Sequence, residues 1–272
     1  MAARLRARLF GAALCLWAGA ALAQAFDHGH AAWDALLKKH VVVLEGGHAS
    51  RLDYAAMARS RGALHAYLQA LSGVTPASFA GWTRAEQMAF LINAYNAFTV
   101  EKVLTRYPDI RSIWDFGKLF GNPFKDEFFE LLGRRASLDW IEHERLRPDY
   151  RDPRVHYAVN CASIGCPMLR EEAYVAARLE AQLEDQARRF LSDGARNRYA
   201  DGRLEVSKIF DWFEEDFAPR ERYFARYAPL LAPEGEARRA VAEARAPIRF
   251  LDYDWTLNDV GDTARASGRE RR

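Results

Sequence analysis

The chain has 272 residues, with 39 Lys and Arg against 37 Asp and Glu for a formal net charge of +2. Arg4, Arg6 and Arg8 lie in the first 23 residues, so the remaining 249 carry 36 basic against 37 acidic side chains. That balance excludes a partner recognised through net charge, whether nucleic acid or an acidic membrane surface.

The first residues read as a leader rather than as fold. Three arginines precede an apolar run from Leu9 to Leu22, and Ala21-Leu22-Ala23 has the small residues of a cleavage site. This is the pattern of a secretory signal peptide over residues 1–23. The run is too short to span a bilayer comfortably, since a spanning helix needs about 20 residues. Cys15 is followed by Leu16 and Trp17, which does not suit a lipid-anchoring site. The expectation is an exported protein, periplasmic or secreted, with no membrane span after cleavage. Cys161 and Cys166 are then the mature chain's two thiols, in a compartment that is oxidising. Residues 24–260 are expected to form one globular domain, and 261–272 a flexible tail.

Phe26 to Val43 carries Trp33, Leu36, Leu37 and His40 at helical spacing, which predicts a first helix ending at Gly46-Gly47. A second runs from Arg51-Leu52-Asp53-Tyr54 through Met57, Leu64, Tyr67, Leu68 and Leu71. Thr83 and Glu86 form a capping box for the next helix, which reaches Leu104 and stops before Pro108. It is apolar almost all round, so it should be buried in the middle of the domain. Asn93 and Asn96 interrupt it on one face. Buried amides left unpaired would cost roughly 1–3 kcal/mol each, so they either bond main chain or line a polar pocket.

Ile110 to Phe120 is a loop or short helix rich in aromatics. Glu127 to Leu132 and Arg135 to Leu138 read as a hairpin around Gly133-Arg134. Ser137 or Asp139 caps a short helix, Trp140 to Leu146. That helix carries Glu142, His143 and Glu144, whose adjacent placement suits a solvated face better than a site. From Arg154, Val155, Tyr157 and Val159 alternate with His156, Ala158 and Asn160, the period of a half-buried strand. The strand leads into a turn of small residues, Ala162, Ser163 and Gly165, which holds Cys161 and Cys166 and ends at Pro167. Tyr174 to Leu191 is a helix. Asn197 to Tyr199 and Arg203 to Val206 flank an Asp201-Gly202 turn of the tight hairpin type. Ser207 caps Lys208 to Phe217, and Pro247 to Tyr253 returns as a strand. Trp212, Phe213 and Trp255 read as core and corner packing.

The corner from His156 to Pro167 is the candidate site, and it supports two readings. In one, Cys161 is the nucleophile of a thiol-dependent hydrolase or acyl transferase. His156 is then its base, with His143 next in line, and Asn160, Asn93 or Ser163 orients or donates to an oxyanion. In the other, Cys161 and Cys166 close the turn as a disulfide. The protein is then a non-catalytic module binding a small molecule or an envelope protein, with Asn93, Asn96, Cys166, Glu142 and His143 as binding candidates. A redox dithiol would lack the Cys-x-x-Cys spacing. His156, Cys161 and Cys166 could supply three metal ligands, but no fourth is evident, so no metal is expected. There is no phosphate loop or dinucleotide fingerprint, so no cofactor is expected either.

Several segments resemble the domain-of-unknown-function 547 family. They are Ala89 to Ala97, Ser137-Leu138-Asp139-Trp140-Ile141-Glu142, Arg154 to Pro167, Ser207 to Trp212 with Asp216-Phe217, and Tyr253 to Asn258. The resemblance implies an α+β fold in which a buried central helix packs against a small, mainly antiparallel sheet, surrounded by helices. By analogy this is the papain or transglutaminase type of layout, and fold alone does not fix activity. Thiol enzymes of that type place the cysteine at the start of the buried helix. Here that start is Thr83, Arg84, Ala85 and Glu86, so the ordinary arrangement is excluded by chain order.

Overall fold

The computed structural model describes residues 25–117 and 121–261. The expected signal peptide lies outside the described residues, as does the expected tail beyond 261.

Four helices exceed eight residues: α1 (Ala31–His40), α2 (Arg61–Ser72), α3 (Arg84–Leu104) and α4 (Leu179–Leu191). The predicted first helix divides, because Val41 leaves helical backbone and starts β1 (Val41–Val43). The predicted second helix divides too. Asp53 caps a short helix, Tyr54–Arg59, by accepting from the Ala56 amide at 2.8 Å, and α2 begins after Ser60.

The capping box of α3 forms as expected: Thr83 Oγ1 accepts from the Glu86 amide and Glu86 returns to the Thr83 amide at 2.8 Å. Every residue from Met88 to Val100 is buried, which is why the helix lacks a polar stripe over that length. Asn93 and Asn96 act as main-chain clamps. Asn93 donates to the Tyr174 carbonyl at 2.8 Å and accepts from its amide at 3.1 Å. Asn96 donates to the Ala158 carbonyl at 2.9 Å and accepts from the Asn160 amide at 2.8 Å. Each amide thereby satisfies two buried backbone groups and ties a loop to α3.

The strand component is divided among three small sheets. β1 pairs antiparallel with β2 (Ser50–Leu52), and β3 (Phe129–Leu131) with β4 (Arg134–Ala136). β5 (Arg198–Ala200) and β6 (Arg203–Val206) form the expected hairpin, with positive φ at both Asp201 and Gly202, and β7 (Ile248–Phe250) joins β6 in parallel. The fold is therefore α+β, predominantly helical.

Arg154 to Asn160 corrects the reading as a strand. Asp152 Oδ1 accepts from the Arg154 amide at 2.9 Å, and the following amides of Val155, His156 and Tyr157 bond three residues back. Pro153 supplies the φ of a helix start. Val155–Ala158 is consequently a helical turn, and extended backbone begins only at Val159. The alternation failed as a signal because Val155 to Asn160 is buried on all sides, so no polar face marks a period. This turn is also the seam between two apolar clusters. Val155 and Ala158 pack with the α3 cluster, whereas Tyr157 joins Phe190, Phe210 and Phe217 in the second.

Candidate functional site

Behind the seam, extended chain folds back over the thiol turn. The Ile164 amide donates to the Thr256 carbonyl and the Gly165 amide to the Asp254 carbonyl, both at 2.8 Å. The Asn258 amide donates to the Ala162 carbonyl at 3.2 Å. A Cβ on Gly165 would stand 3.0 Å from both the amide nitrogen and the carbonyl oxygen of Asp254, so this approach needs glycine. Asn160 braces the same turn from inside. Its Oδ1 accepts from Ala162 at 3.0 Å and from Asn258 Nδ2 at 3.3 Å, while its Nδ2 donates to the Pro167 carbonyl at 2.8 Å. Both ends of the Asn160 side chain are thus engaged in holding the turn.

Between its two cysteines the turn carries Ala162 with φ +63°, the left-handed region that an alanine enters at a cost of about 1–2 kcal/mol. Such backbone strain is held only where surrounding contacts fix it. Here the bonds to Asn160 and Asn258 do so, and Cys161 is aimed at a cavity of about 520 Å³.

Cys161 and Cys166 are free thiols, the first partly exposed and the second buried. Cys161 Sγ lies 2.9 Å from Cys166 Sγ, 3.2 Å from Ser163 Oγ and 3.1 Å from the Tyr253 hydroxyl. Toward Cys166 the Cys161 thiol is the donor, whereas with Ser163 and Tyr253 either partner can donate. Ser163 also donates to the Tyr253 hydroxyl at 3.1 Å, so serine, phenol and sulfur form a closed triangle. Burial raises the pKa of Cys161, but the hydrogen bonds with Cys166, Ser163 and Tyr253 outweigh it and leave the thiol more acidic than usual. Cys166 is driven the other way, by burial and by the neighbouring Cys161. The pair therefore divides into an acidic, accessible sulfur and a buried proton-bearing one.

His156 lines the same cavity, but its imidazole serves carboxylates. Nε2 is 2.6 Å from Asp216 Oδ2, and Nδ1 is 3.5 Å from Glu142 Oε1, an ionic contact too long for a well-formed hydrogen bond. Burial opposes the charged ring, yet the bonds to Asp216 and Glu142 prevail and raise its pKa. Among the described residues, the hydrogen bond the His156 ring makes is to Asp216, and none joins it to Cys161. The ring is buried between two carboxylates, which favour its charged form. Asp216 also accepts from Arg147 Nε at 2.5 Å. Burial pushes its pKa up, but the bonds from His156 and Arg147 hold it at about 2. Glu142 is likewise lowered, because its bonds to His156 and Tyr95 outweigh burial.

Glu142 also overturns the expectation of a solvated helix face. Trp140–Leu146 winds as a π-helix, which changes the angular spacing of its side chains, and Glu142 turns inward while His143 stays at the cavity rim. Trp212, Phe213 and Trp255 line the cavity; Phe213 also packs against the second apolar cluster, as expected, whereas Trp212 is 44% exposed. Of the residues singled out from sequence, Cys161, Cys166, His156, Glu142 and His143 line this cavity. Asn93 and Asn96 do not. Asp216, Tyr253 and Tyr95 carried no assigned role, although all three fall in segments that matched the family pattern. Among the described residues, no group of three or more His, Cys, Asp or Glu is placed to hold a metal ion.

Fold and site together define a helix-rich α+β protein whose central feature is a hydrogen-bonded thiol in an aromatic cavity. The family model described as protein of unknown function, DUF547, matches residues 79–191. The match takes in α3, the π-helix and the thiol turn, while Asp216 and Tyr253 lie beyond it. No curated protein and no solved structure matches the chain. Among the described residues, no helix is long and apolar enough to cross a membrane.

Proposed function

We propose that the protein is a thiol-dependent hydrolase or acyl transferase with Cys161 as its nucleophile. One observation carries this reading: the Cys161 sulfur stands at a cavity wall within 3.2 Å of three hydrogen-bonding side chains, Cys166, Ser163 and Tyr253. Hydrogen bonds from such groups stabilise the thiolate, which is the nucleophilic form. The thiol proton is lost to solvent through the open cavity. The thiolate attacks an acyl carbon, a C–S bond forms, and the bond from that carbon to the leaving group breaks. The leaving group takes a proton from solvent, and water or a second nucleophile then accepts the acyl group. His156, held by Asp216 and stacked on Phe213, is a positioning residue that fixes the cavity wall. The leader pattern at residues 1–23 supports action after export, on a small molecule or an envelope component.

Intact-mass spectrometry after mixing the reduced protein with p-nitrophenyl acyl esters tests the reading. The expected result is one acyl adduct on Cys161, absent in Cys161→Ser and decaying as product forms. An ester that leaves Cys161 unmodified, or that labels Cys161→Ser equally, overturns it.

A second reading, a binding module with a cysteine-closed turn, draws support from the 2.9 Å between the sulfurs. Closure would be a two-electron oxidation of both thiols, with a disulfide-bearing partner reduced to two thiols in exchange. Thiol labelling before and after reductant, on protein taken from the exported fraction, distinguishes the two. Thiols that are blocked until reduction favour the closed turn.

A further inference from the structure

The cavity beside Cys161 is an aromatic enclosure, and the rings touch one another in series. Trp114 meets Trp255 edge-on at 5.3 Å, Trp255 stacks on Trp212 at 5.6 Å, and Tyr253 lies 4.5 Å from Trp255 and 4.8 Å from Trp212. Phe213 closes the other side, stacked on His156 at 3.9 Å. Among the described residues, the large hydrophobics left exposed include two tryptophans, Trp114 at 39% and Trp212 at 44%, and both belong to this cavity. Uncovered tryptophan in contact with a cavity marks a surface that a ligand covers.

The charges on the wall narrow the chemistry. Among the described residues, the lining holds no lysine or arginine. An anionic group would find no fixed partner there. Of the two carboxylates that line it, Glu142 faces His156 at 3.5 Å, and Asp139 lies 3.8 Å from His143, whose Nδ1 accepts from Arg147. What remains is a largely apolar pocket of about 520 Å³, within the range of small-ligand sites, opening onto the Cys161 sulfur.

We infer that the group transferred through Cys161 is an uncharged, apolar acyl group of medium length, seated on Trp212 and Trp255 with its carbonyl carbon at the sulfur. This rests on the thiol-enzyme reading and specifies its substrate class. The thiolate displaces the leaving group from the carbonyl as above, so no redox partner is needed. Ring contacts along the chain raise the local concentration of acyl carbon at Cys161, which makes the preference one of kcat/KM.

The experiment compares kcat/KM for p-nitrophenyl acetate, butyrate and octanoate, with the hemisuccinate and a trimethylammonio-acyl ester as charged controls. Rates are corrected with Cys161→Ser. Octanoate should exceed acetate by at least about tenfold, from six more methylenes entering the pocket. Both charged esters should fall below butyrate. Trp212→Ala should lower the octanoate-to-acetate ratio about tenfold. A flat chain-length series, a preference for either charged ester, or an unchanged ratio in Trp212→Ala overturns the inference. A parallel binding measurement separates this failure from that of the enzyme reading. Octanamide, which Cys161 does not cleave readily, should slow iodoacetamide labelling of Cys161, whereas succinamate should not. If octanamide protects but no ester acylates, the apolar pocket stands and acyl transfer falls. If esters acylate without chain-length preference and octanamide gives no protection, the enzyme stands and the substrate class falls.

Discussion

Replacing Tyr253 by Phe removes one oxygen from the triangle around Cys161 and leaves the ring in place. The phenyl ring keeps its neighbours, Trp212 at 4.8 Å and Trp255 at 4.5 Å, so the cavity wall stays intact. What is lost is a donor 3.1 Å from the sulfur. A hydrogen bond to a charged group contributes about 1.5–3 kcal/mol. Ser163, which donates to the phenol in the parent, becomes free to turn wholly toward sulfur, so the lower end applies. About 1.5 kcal/mol is roughly tenfold in the thiolate population wherever the thiol is mostly protonated. The assay is the rate of iodoacetamide alkylation of Cys161, followed by mass spectrometry from about pH 5 to about pH 9, where thiolate fraction sets the rate. Tyr253→Phe should alkylate about tenfold more slowly at the acid end and converge with the parent at the alkaline end. Adding Ser163→Ala should lose more than the two single effects combined, because each hydroxyl partly substitutes for the other. A rate profile that superimposes on the parent would show that the phenol does not stabilise the thiolate, and the case for Cys161 as nucleophile would lose its physical basis.

Asn96→Ala should lower stability by about 2–4 kcal/mol, since it leaves the buried Ala158 carbonyl and Asn160 amide unpaired. A denaturant melt with unchanged slope and shifted midpoint checks it. Gly165→Ala should cost about 1–3 kcal/mol through the 3.0 Å approach to the Asp254 backbone, and a Tm equal to the parent's would contradict the packing described. The Asp216–His156 pair predicts a pH window. Asp216 is held at about 2 against an ordinary 3.8, so its contribution is present above 3.8 and is lost as pH falls toward 2. His156 is raised, so its contribution is complete below 6.5 and is lost as pH rises through its higher folded value. The stability of the parent over Asp216→Asn should therefore be greatest between these limits. It should amount to about 1 kcal/mol, after allowing for solvent screening at a partly exposed carboxylate. An advantage that is constant with pH would exclude the ion pair as its source.

Local chemistry in the sequence located much of this fold. The Thr83–Glu86 box and the unbroken apolar run after it specify α3, because a cap and a stripe-free helix leave few alternatives. The Asp201-Gly202 turn specifies its hairpin for the same reason. The small residues around Cys161 and Cys166 marked the turn. Other features depended on winding or on distant partners. Val155–Ala158 is helical because Asp152 and Pro153 start a helix that the buried alternation could not reveal. Glu142 faces inward because its helix is π-wound. Asp216 and Tyr253 reach the site from 60 and 92 residues beyond His156 and Cys161, and periodicity holds no information about such meetings.

The fold-back of the chain over the thiol turn has a temporal consequence. Cys161 and Cys166 leave the ribosome long before Tyr253 does, and the Asp254, Thr256 and Asn258 bonds that pin their turn come later still. Until then the sulfur lacks its phenolic donor and the cavity lacks Trp255. The complete surroundings of the sulfur thus form only after synthesis has passed Asn258.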